Sequence, residues 1–343
     1  MTNIEWTDRV WNPATGCTKV SEGCRNCYAF ETHNRRHKGF MNGAKLPKQY
    51  AEPFNKIQLF PDRLLQPLRW KKPQRIFVNS MSDLFHKDIP FKYIDQVFAV
   101  MALTPRHTYQ VLTKRPERML QYFQSMNRAE MIECWQETAY ELTKDDEAAC
   151  FVANRLNGVL PNAKPGWAIQ NVWLGTSVEN QKTADERIPL LLQTPAAVRF
   201  LSCEPLLGMV DLKLHDSLLY HTSGWWPPLS EYTKVGEVID WVIVGGESGS
   251  KARPMHPDWV RSIRDQCAEF NIPFFFKQYG EYAPIHELRT NEPGIKGKLW
   301  VNFDPDTSVC RVGKKKAGRL LDGQEWSQFP DAEYQDCGEC SCK

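Results

Sequence analysis

Asp240-Trp241-Val242-Ile243-Val244-Gly245-Gly246-Glu247 is a short apolar run that ends at two glycines and a carboxylate. It is rich in β-branched residues and shows no polar–apolar alternation, which suits a strand buried on both faces. The same pattern recurs at Arg75 to Ser80, His107 to Lys114, Asn171 to Ser177, Ala197 to Ser202 and Pro273 to Gln278. Helical patterns lie between these runs. Pro257 to Phe270 puts Val260, Ile263, Cys267 and Phe270 on one face, with Pro257 in the first turn. Tyr93 to Leu103 gathers Ile94, Val97, Phe98 and Met101, and Glu186 to Leu192 is a third such stretch. Strand alternating with helix, joined by right-handed crossovers, predicts a parallel sheet. The expectation is an α/β fold, a partial or full TIM-like (β/α) barrel of six to seven strands.

The barrel is expected over residues 1–282, with a helical insertion at 116–165 built on a pair of helices, Met119 to Phe123 and Ala129 to Leu142. From Ala283 the strand–helix rhythm stops, and 283–343 reads as an irregular C-terminal extension. Its polar end carries Cys337, Cys340 and Cys342, expected to be exposed thiols rather than a second metal site with Cys310. A hydrophobic content of 42% over 343 residues allows a sizeable core. The formal charge of +2 excludes a global field that would drive binding to nucleic acid. Local basic runs occur at Arg35 to Lys38, Arg69 to Lys72 and Lys314 to Lys316. No stretch approaches the ~18 apolar residues of a membrane helix, so no membrane partner is expected. The segment Met1 to Trp6 lacks the basic start and apolar core of a signal peptide, so the eleven cysteines are expected in a reducing cytoplasm.

Three of those cysteines stand in Thr15-Gly16-Cys17-Thr18-Lys19-Val20-Ser21-Glu22-Gly23-Cys24-Arg25-Asn26-Cys27-Tyr28. Three thiolates on one short loop can ligate three corners of an iron–sulfur cube and leave the fourth iron open. A zinc site needs four ligands; His33 and His37 could complete one with Cys24 and Cys27. Free buried thiols are the remaining reading.

In a parallel α/β barrel the ligand site forms at the carboxyl ends of the strands. Those ends deliver Asn79, Ser80, Ser82 and Asp83, then Thr113, Lys114 and Arg115, then Ser177 and Glu179. They continue with Ser202 and Glu204, then Glu247, then Lys277 and Gln278. Glu204, Glu247 and Lys277 each follow directly on apolar runs and are expected to meet at one mouth.

The loop carrying Cys17, Cys24 and Cys27, with Tyr28 next to the last thiol, resembles the cluster loop of radical SAM enzymes. More closely, the chain resembles an uncharacterised phage-associated three-cysteine-motif family. That likeness runs through Trp11-Asn12-Pro13, Asn79 to His86, Leu112 to Pro116, Ser177 to Asn180, Glu204 to Gly208, Gly245 to Gly249 and Gly318 to Gly323. A fainter similarity links its Ser/Asp and Thr-Lys strand ends to spore photoproduct lyase-like proteins.

The resemblance implies a [4Fe-4S] cluster on Cys17, Cys24 and Cys27 and S-adenosylmethionine (SAM) on its open iron. It implies reductive cleavage of SAM to a 5′-deoxyadenosyl radical, driven by an electron donor such as flavodoxin or ferredoxin. Asn79, Ser80, Ser82 and Asp83 stand where the superfamily's glycine-rich SAM motif would be. By the same resemblance Tyr28, Thr113 and Lys114 line the cofactor, Ser177 and Glu179 face the ribose, and Glu204, Glu247 and Lys277 bind or protonate substrate. The implied substrate is a nucleic-acid base or modified nucleotide, with small molecules left open. Two other classes remain: an iron–sulfur or zinc nucleic-acid-binding module without SAM chemistry, and a non-redox barrel enzyme with structural cysteines.

Overall fold

Every apolar run quoted above is a strand of one sheet in the computed structural model, which describes residues 4–157, 169–217, 234–285 and 297–330. The strands are β1 (Arg9–Trp11), β2 (Arg75–Val78), β3 (Thr108–Thr113), β4 (Val172–Ser177), β5 (Val198–Cys203), β6 (Trp241–Gly245) and β7 (Phe274–Gln278). They lie side by side in chain order and every neighbouring pair is parallel. The sheet curls into a half-barrel flanked by helices. The helices are α1 (Tyr28–Met41), α2 (Phe91–Leu103), α3 (Pro116–Gln124), α4 (Arg128–Thr143), α5 (Asp146–Leu156), α6 (Gln181–Leu192) and α7 (Pro257–Glu269).

Side chains alternate across the strands with period two, and this splits the core. Ile76, Val78, Tyr109, Val111, Val172, Leu174, Leu201, Val242, Val244, Phe274 and Phe276 belong to the large core shared with the helices. The intervening Phe77, Trp173, Phe200, Trp241, Ile243 and Phe275 form a separate cluster with Trp6 on the other face. The Trp241 ring touches Trp6, Trp173, Phe200, Phe275 and Phe329, so this face carries an aromatic plug. On three of the strands the same face turns polar two residues beyond the plug: Asn79 after Phe77, Ser202 after Phe200, Lys277 after Phe275. The half-barrel therefore has an apolar floor toward the amino ends of its strands and a polar rim at their carboxyl ends.

Two sequence expectations are corrected. The stretch after β3 holds three helices, not a pair. The third, α5, follows the N-cap Asp145, whose side chain accepts from the Glu147 N–H, and buries only Ala149, Val152 and Leu156. So sparse an apolar face gives little periodic signal. The end of the expected insertion, 158–165, lies outside the described residues.

The described part of the C-terminal extension holds regular elements where an irregular one was expected. It contains an antiparallel sheet of β8 (Tyr282–Pro284), β9 (Trp300–Asn302) and β10 (Ser308–Arg311), with β10 in the middle. A short helix, α8 (Lys314–Ala317), follows. The chain then runs back along the edge of β7: the Phe276 N–H donates to the Trp326 carbonyl at 3.0 Å, and the Gln328 N–H to the Phe274 carbonyl at 3.2 Å. An edge strand leaves a row of unpaired peptide groups, and residues 326–328 satisfy part of that row. Lys314 also pairs with Glu5 at 3.1 Å, linking this extension to the segment that precedes β1. Cys337, Cys340 and Cys342 lie outside the described residues.

Two predictions follow from this packing. A methyl group on Gly175 would sit 2.6 Å from the buried Phe200 ring. Gly175→Ala is expected to destabilise the fold by about 1–3 kcal/mol through overpacking; an unchanged melting temperature would mean the plug has room to spare. The second concerns Asp95, which is buried and accepts a 2.7 Å bond from the Tyr122 hydroxyl. Burial raises its carboxyl above the ordinary 3.8 despite donors from Tyr122, Cys134 and Trp135. The folded protein thus holds this proton more tightly than the unfolded chain. The resulting stabilisation is fully present below the ordinary carboxyl value and is lost as pH rises through the raised one. Relative to Asp95→Asn, the native protein is expected to lose stability as pH rises above about 4 in chemical denaturation. A gap that stays constant with pH would mean Asp95 does not titrate there.

Candidate functional site

The cysteine loop leaves the end of β1 and returns to the rim of the sheet. Gly16 opens it with φ +99°, a left-handed conformation that favours glycine, and its N–H donates to the Met81 carbonyl at 3.0 Å. The Cys17 N–H donates to the Phe54 carbonyl at 2.8 Å. Cys24 ends a turn of 3-10 helix, Glu22–Cys24, with its sulfur 3.8 Å from the Ser21 hydroxyl. Cys27 is the N-cap residue of α1, and its side chain makes no capping hydrogen bond. All three thiols are free. Burial, with Asp83 and Cys24 nearby, pushes the Cys17 thiol up to about 11 against the opposing pull of Arg115. Burial also raises Cys27, with Cys24 adding to the effect. Cys24 is thus close enough to be felt by both of its partners. Among the described residues no three His, Cys, Asp or Glu side chains are already gathered as a metal-holding group. The His33 and His37 rings bond the Glu52 carbonyl at 2.9 Å and the Tyr50 carbonyl at 2.8 Å, and among the described residues they are not gathered with Cys24 and Cys27.

Three charged groups on three strand ends hold this loop down. Glu179, just past β4, is wholly buried, at 0% exposure. Its carboxylate accepts from Lys114 at the end of β3, from Arg187 of α6 at 3.0 Å and from the loop's Ser21 hydroxyl at 2.9 Å. Burial alone would raise its carboxyl; Lys114, Arg187 and Ser21 together bring it below the ordinary value. Gly23 makes the close approach of the loop possible, because a methyl group there would lie 2.5 Å from that carboxylate.

Asp83, beyond β2, accepts from the Thr113 hydroxyl at 2.7 Å, the Lys114 N–H at 3.0 Å and Arg115 at 2.9 Å. The same Arg115 reaches the Cys17 sulfur at 3.6 Å and the Thr18 carbonyl at 2.8 Å. Glu247, after β6, accepts two side-chain bonds from Arg253, at 2.7 and 2.9 Å, and one from the loop's Asn26 at 2.9 Å. Burial pushes its carboxyl up, and the bonds from Arg253 and Asn26 bring it below the ordinary value.

The sequence-derived rim residues are therefore sorted by geometry. Glu204 and Lys277 meet as an ion pair at 2.9 Å, both partly exposed. A methyl group on Gly245 would come within 2.5 Å of that Glu204 oxygen, so Gly245 leaves it room. Glu247 does not join this pair, because Arg253 and Asn26 occupy its carboxylate. Ser80 exchanges hydrogen bonds with the Asn12 side chain, and the Ser82 hydroxyl donates to the Ala14 carbonyl at 3.1 Å. Both tie the β2 end to the stretch before the cysteine loop. Tyr28 is 56% exposed as a residue, and its hydroxyl donates to the Ser80 carbonyl at 2.5 Å. Ser177 is buried, and its carbonyl accepts from Arg187 at 2.8 Å.

Asn79 differs from the rest. It sits in the left-handed region, φ 60°, is 3% exposed, and neither end of its carboxamide has a hydrogen-bond partner. A buried amide left unpaired is costly and calls for a ligand or water to satisfy it.

Sequence reasoning missed Ser21, Asn26, Arg187 and Arg253, and assigned no role to Arg115. Arg115 directly follows Lys114 at a strand end, and Arg253 follows Glu247 by one short loop. Arg187 lies inside a helix, where a cation reads as a solvated face.

The donor chemistry fits a cluster: three free thiols on one loop, one of them at the N-terminus of α1, with an unsatisfied carboxamide at the end of β2. Among curated proteins none matches the chain. A solved structure titled "Spore photoproduct lyase complexed with dinucleoside spore photoproduct" is similar over 90% of this chain and 70% of its own, at 11% identity and a TM-score of 0.34. A likeness at that level says nothing about chemistry. The family described as "Protein of unknown function (DUF5131)" matches residues 1–330, and the chain belongs to that family.

Proposed function

We propose that the protein is a radical SAM enzyme, with a [4Fe-4S] cluster held by Cys17, Cys24 and Cys27 at the mouth of the half-barrel. One observation carries the reading: the loop with three free thiols lies over the carboxyl ends of a parallel sheet and is latched there through Glu179, Arg115 and Glu247. That rim is where parallel α/β folds bind ligands. When bound, the cluster and SAM would supply the electron and the radical precursor that amino-acid side chains cannot.

The chain's own residues would bind, orient and exclude water. The Asn79 carboxamide offers one donor and one acceptor to the cofactor. The aromatic plug of Trp6, Trp173, Trp241 and Phe275 seals the floor, as radical chemistry requires a dry site. Lys277 and Glu204 present a paired cation and anion for a polar substrate group. The favoured substrate is a nucleic-acid base or modified nucleotide, since the exposed Tyr28 offers a stacking face. A one-electron donor such as flavodoxin or ferredoxin would complete the system.

A specific observation favours a second reading. Asp83, Glu179 and Glu247 are all engaged by protein donors, which leaves none of these carboxylates open to a cofactor. That arrangement suits an iron–sulfur or zinc nucleic-acid-binding module without SAM chemistry. Anaerobic protein given SAM and dithionite separates the two: release of 5′-deoxyadenosine supports the enzyme, and iron without release supports the module.

Replacing Cys17, Cys24 or Cys27 singly with Ala is expected to abolish bound iron and the broad visible absorption together. A single variant that keeps full iron would remove that cysteine from the ligand set. Lys277→Met is expected to keep iron and to lower the melting temperature by only a few degrees, as for about 1–2 kcal/mol, while substrate-dependent turnover is lost. Normal turnover in that variant would show that Lys277 does not touch substrate.

A further inference from the structure

Among the described residues outside the loop, Arg115 is the one side chain that bonds both a loop thiol and the loop's backbone. Its Nη1 lies 3.6 Å from the Cys17 sulfur and 2.9 Å from Asp83, and its Nη2 donates to the Thr18 carbonyl at 2.8 Å and the Thr18 hydroxyl at 3.1 Å. The guanidinium is mostly buried, with a side-chain exposure of 12%. Thr18 is held from its other side by the buried His86, 2.8 Å from its hydroxyl. The loop is thus fixed in two directions at the residue next to Cys17. A planar guanidinium presents five donors in a fixed fork and can serve these acceptors without reorienting, whereas an ammonium has three donors on a freely rotating head.

A hydrogen bond and a positive charge beside a ligating sulfur stabilise the more negative, reduced form of an iron–sulfur cluster and raise its reduction potential. Asp83 opposes this, because it neutralises part of the same charge. Asp83 is buried as well, so Arg115 is also its counter-charge, and the pair together holds the Cys17 end of the loop.

We propose that Arg115 is a positioning residue for the cluster: it fixes the Cys17 end of the loop, and its charge, offset by Asp83, sets the cluster's reduction potential. This inference rests on the cluster reading of Cys17, Cys24 and Cys27. It names a role that the sequence pattern did not assign to Arg115.

The test uses full-length protein reconstituted anaerobically with iron and sulfide, without SAM. Iron content is measured, followed by a potentiometric titration with dithionite monitored by electron paramagnetic resonance. Arg115→Gln removes the charge and keeps a donor. It is expected to lower the reduced-to-oxidised ratio at fixed potential about tenfold, which for one electron is about 59 mV. Arg115→Lys keeps the charge and is expected to recover most of that shift. If the glutamine variant loads no iron, Asp83→Asn decides, because it releases Arg115 from its counter-charge and should move the midpoint upward. Iron-loaded Arg115→Gln with the native midpoint, or iron-loaded Asp83→Asn with no upward shift, overturns the proposal while leaving the cluster reading intact. A native protein that takes up no iron overturns the cluster reading, and this proposal falls with it.

Discussion

The wholly buried carboxylate of Glu179 is the interaction on which the site depends. It joins four parts of the chain: its own position past β4, Lys114 at the end of β3, Arg187 in α6 and Ser21 in the cysteine loop. A buried charge with this many donors is stable as a set, and deleting one partner of such a pair costs about 3–5 kcal/mol. The loop's position is therefore coupled to the packing of the sheet. Gly23 belongs to the same constraint, since any side chain there would displace the carboxylate.

Around that anchor the half-barrel separates two environments. Below, aromatic rings fill the concave face and exclude water. Above, charged and amide groups crowd the rim, most of them paired. The paired groups hold the cysteine loop in place; what remains for a ligand is Asn79, Tyr28 and the Lys277–Glu204 pair. This division explains why so many polar residues at strand ends need not all be ligand contacts. A parallel sheet brings every strand end to one side, and the protein uses several of those ends to brace a loop that has little regular structure of its own.

Much of this was legible beforehand. The six apolar runs became strands within a residue or two of their quoted limits, because strands buried on both faces leave an unbroken hydrophobic signal. The α7 stripe of Val260, Ile263 and Cys267 was readable for the same reason at helical period. Less legible were α5, whose apolar face has only a few residues, and the β8–β10 sheet, whose strands are three or four residues long. Strands that short carry no measurable alternation, and their pairing joins residues far apart in the chain.

By itself the sequence determined the parallel α/β architecture, the location of the three loop thiols and the identity of the groups at the rim. These follow from local pattern: run length, period and spacing. Only the tertiary structure decided which charges pair. Glu204 meets Lys277 while Glu247 turns to Arg253 and Asn26, and Asp83 takes Arg115 rather than standing open. Pairing depends on angstrom-scale approach between segments far apart in the chain, such as Asn26 and Glu247, which lie 221 positions apart. Composition and spacing carry no information at that range, because the chain must first fold before such groups compete for one another.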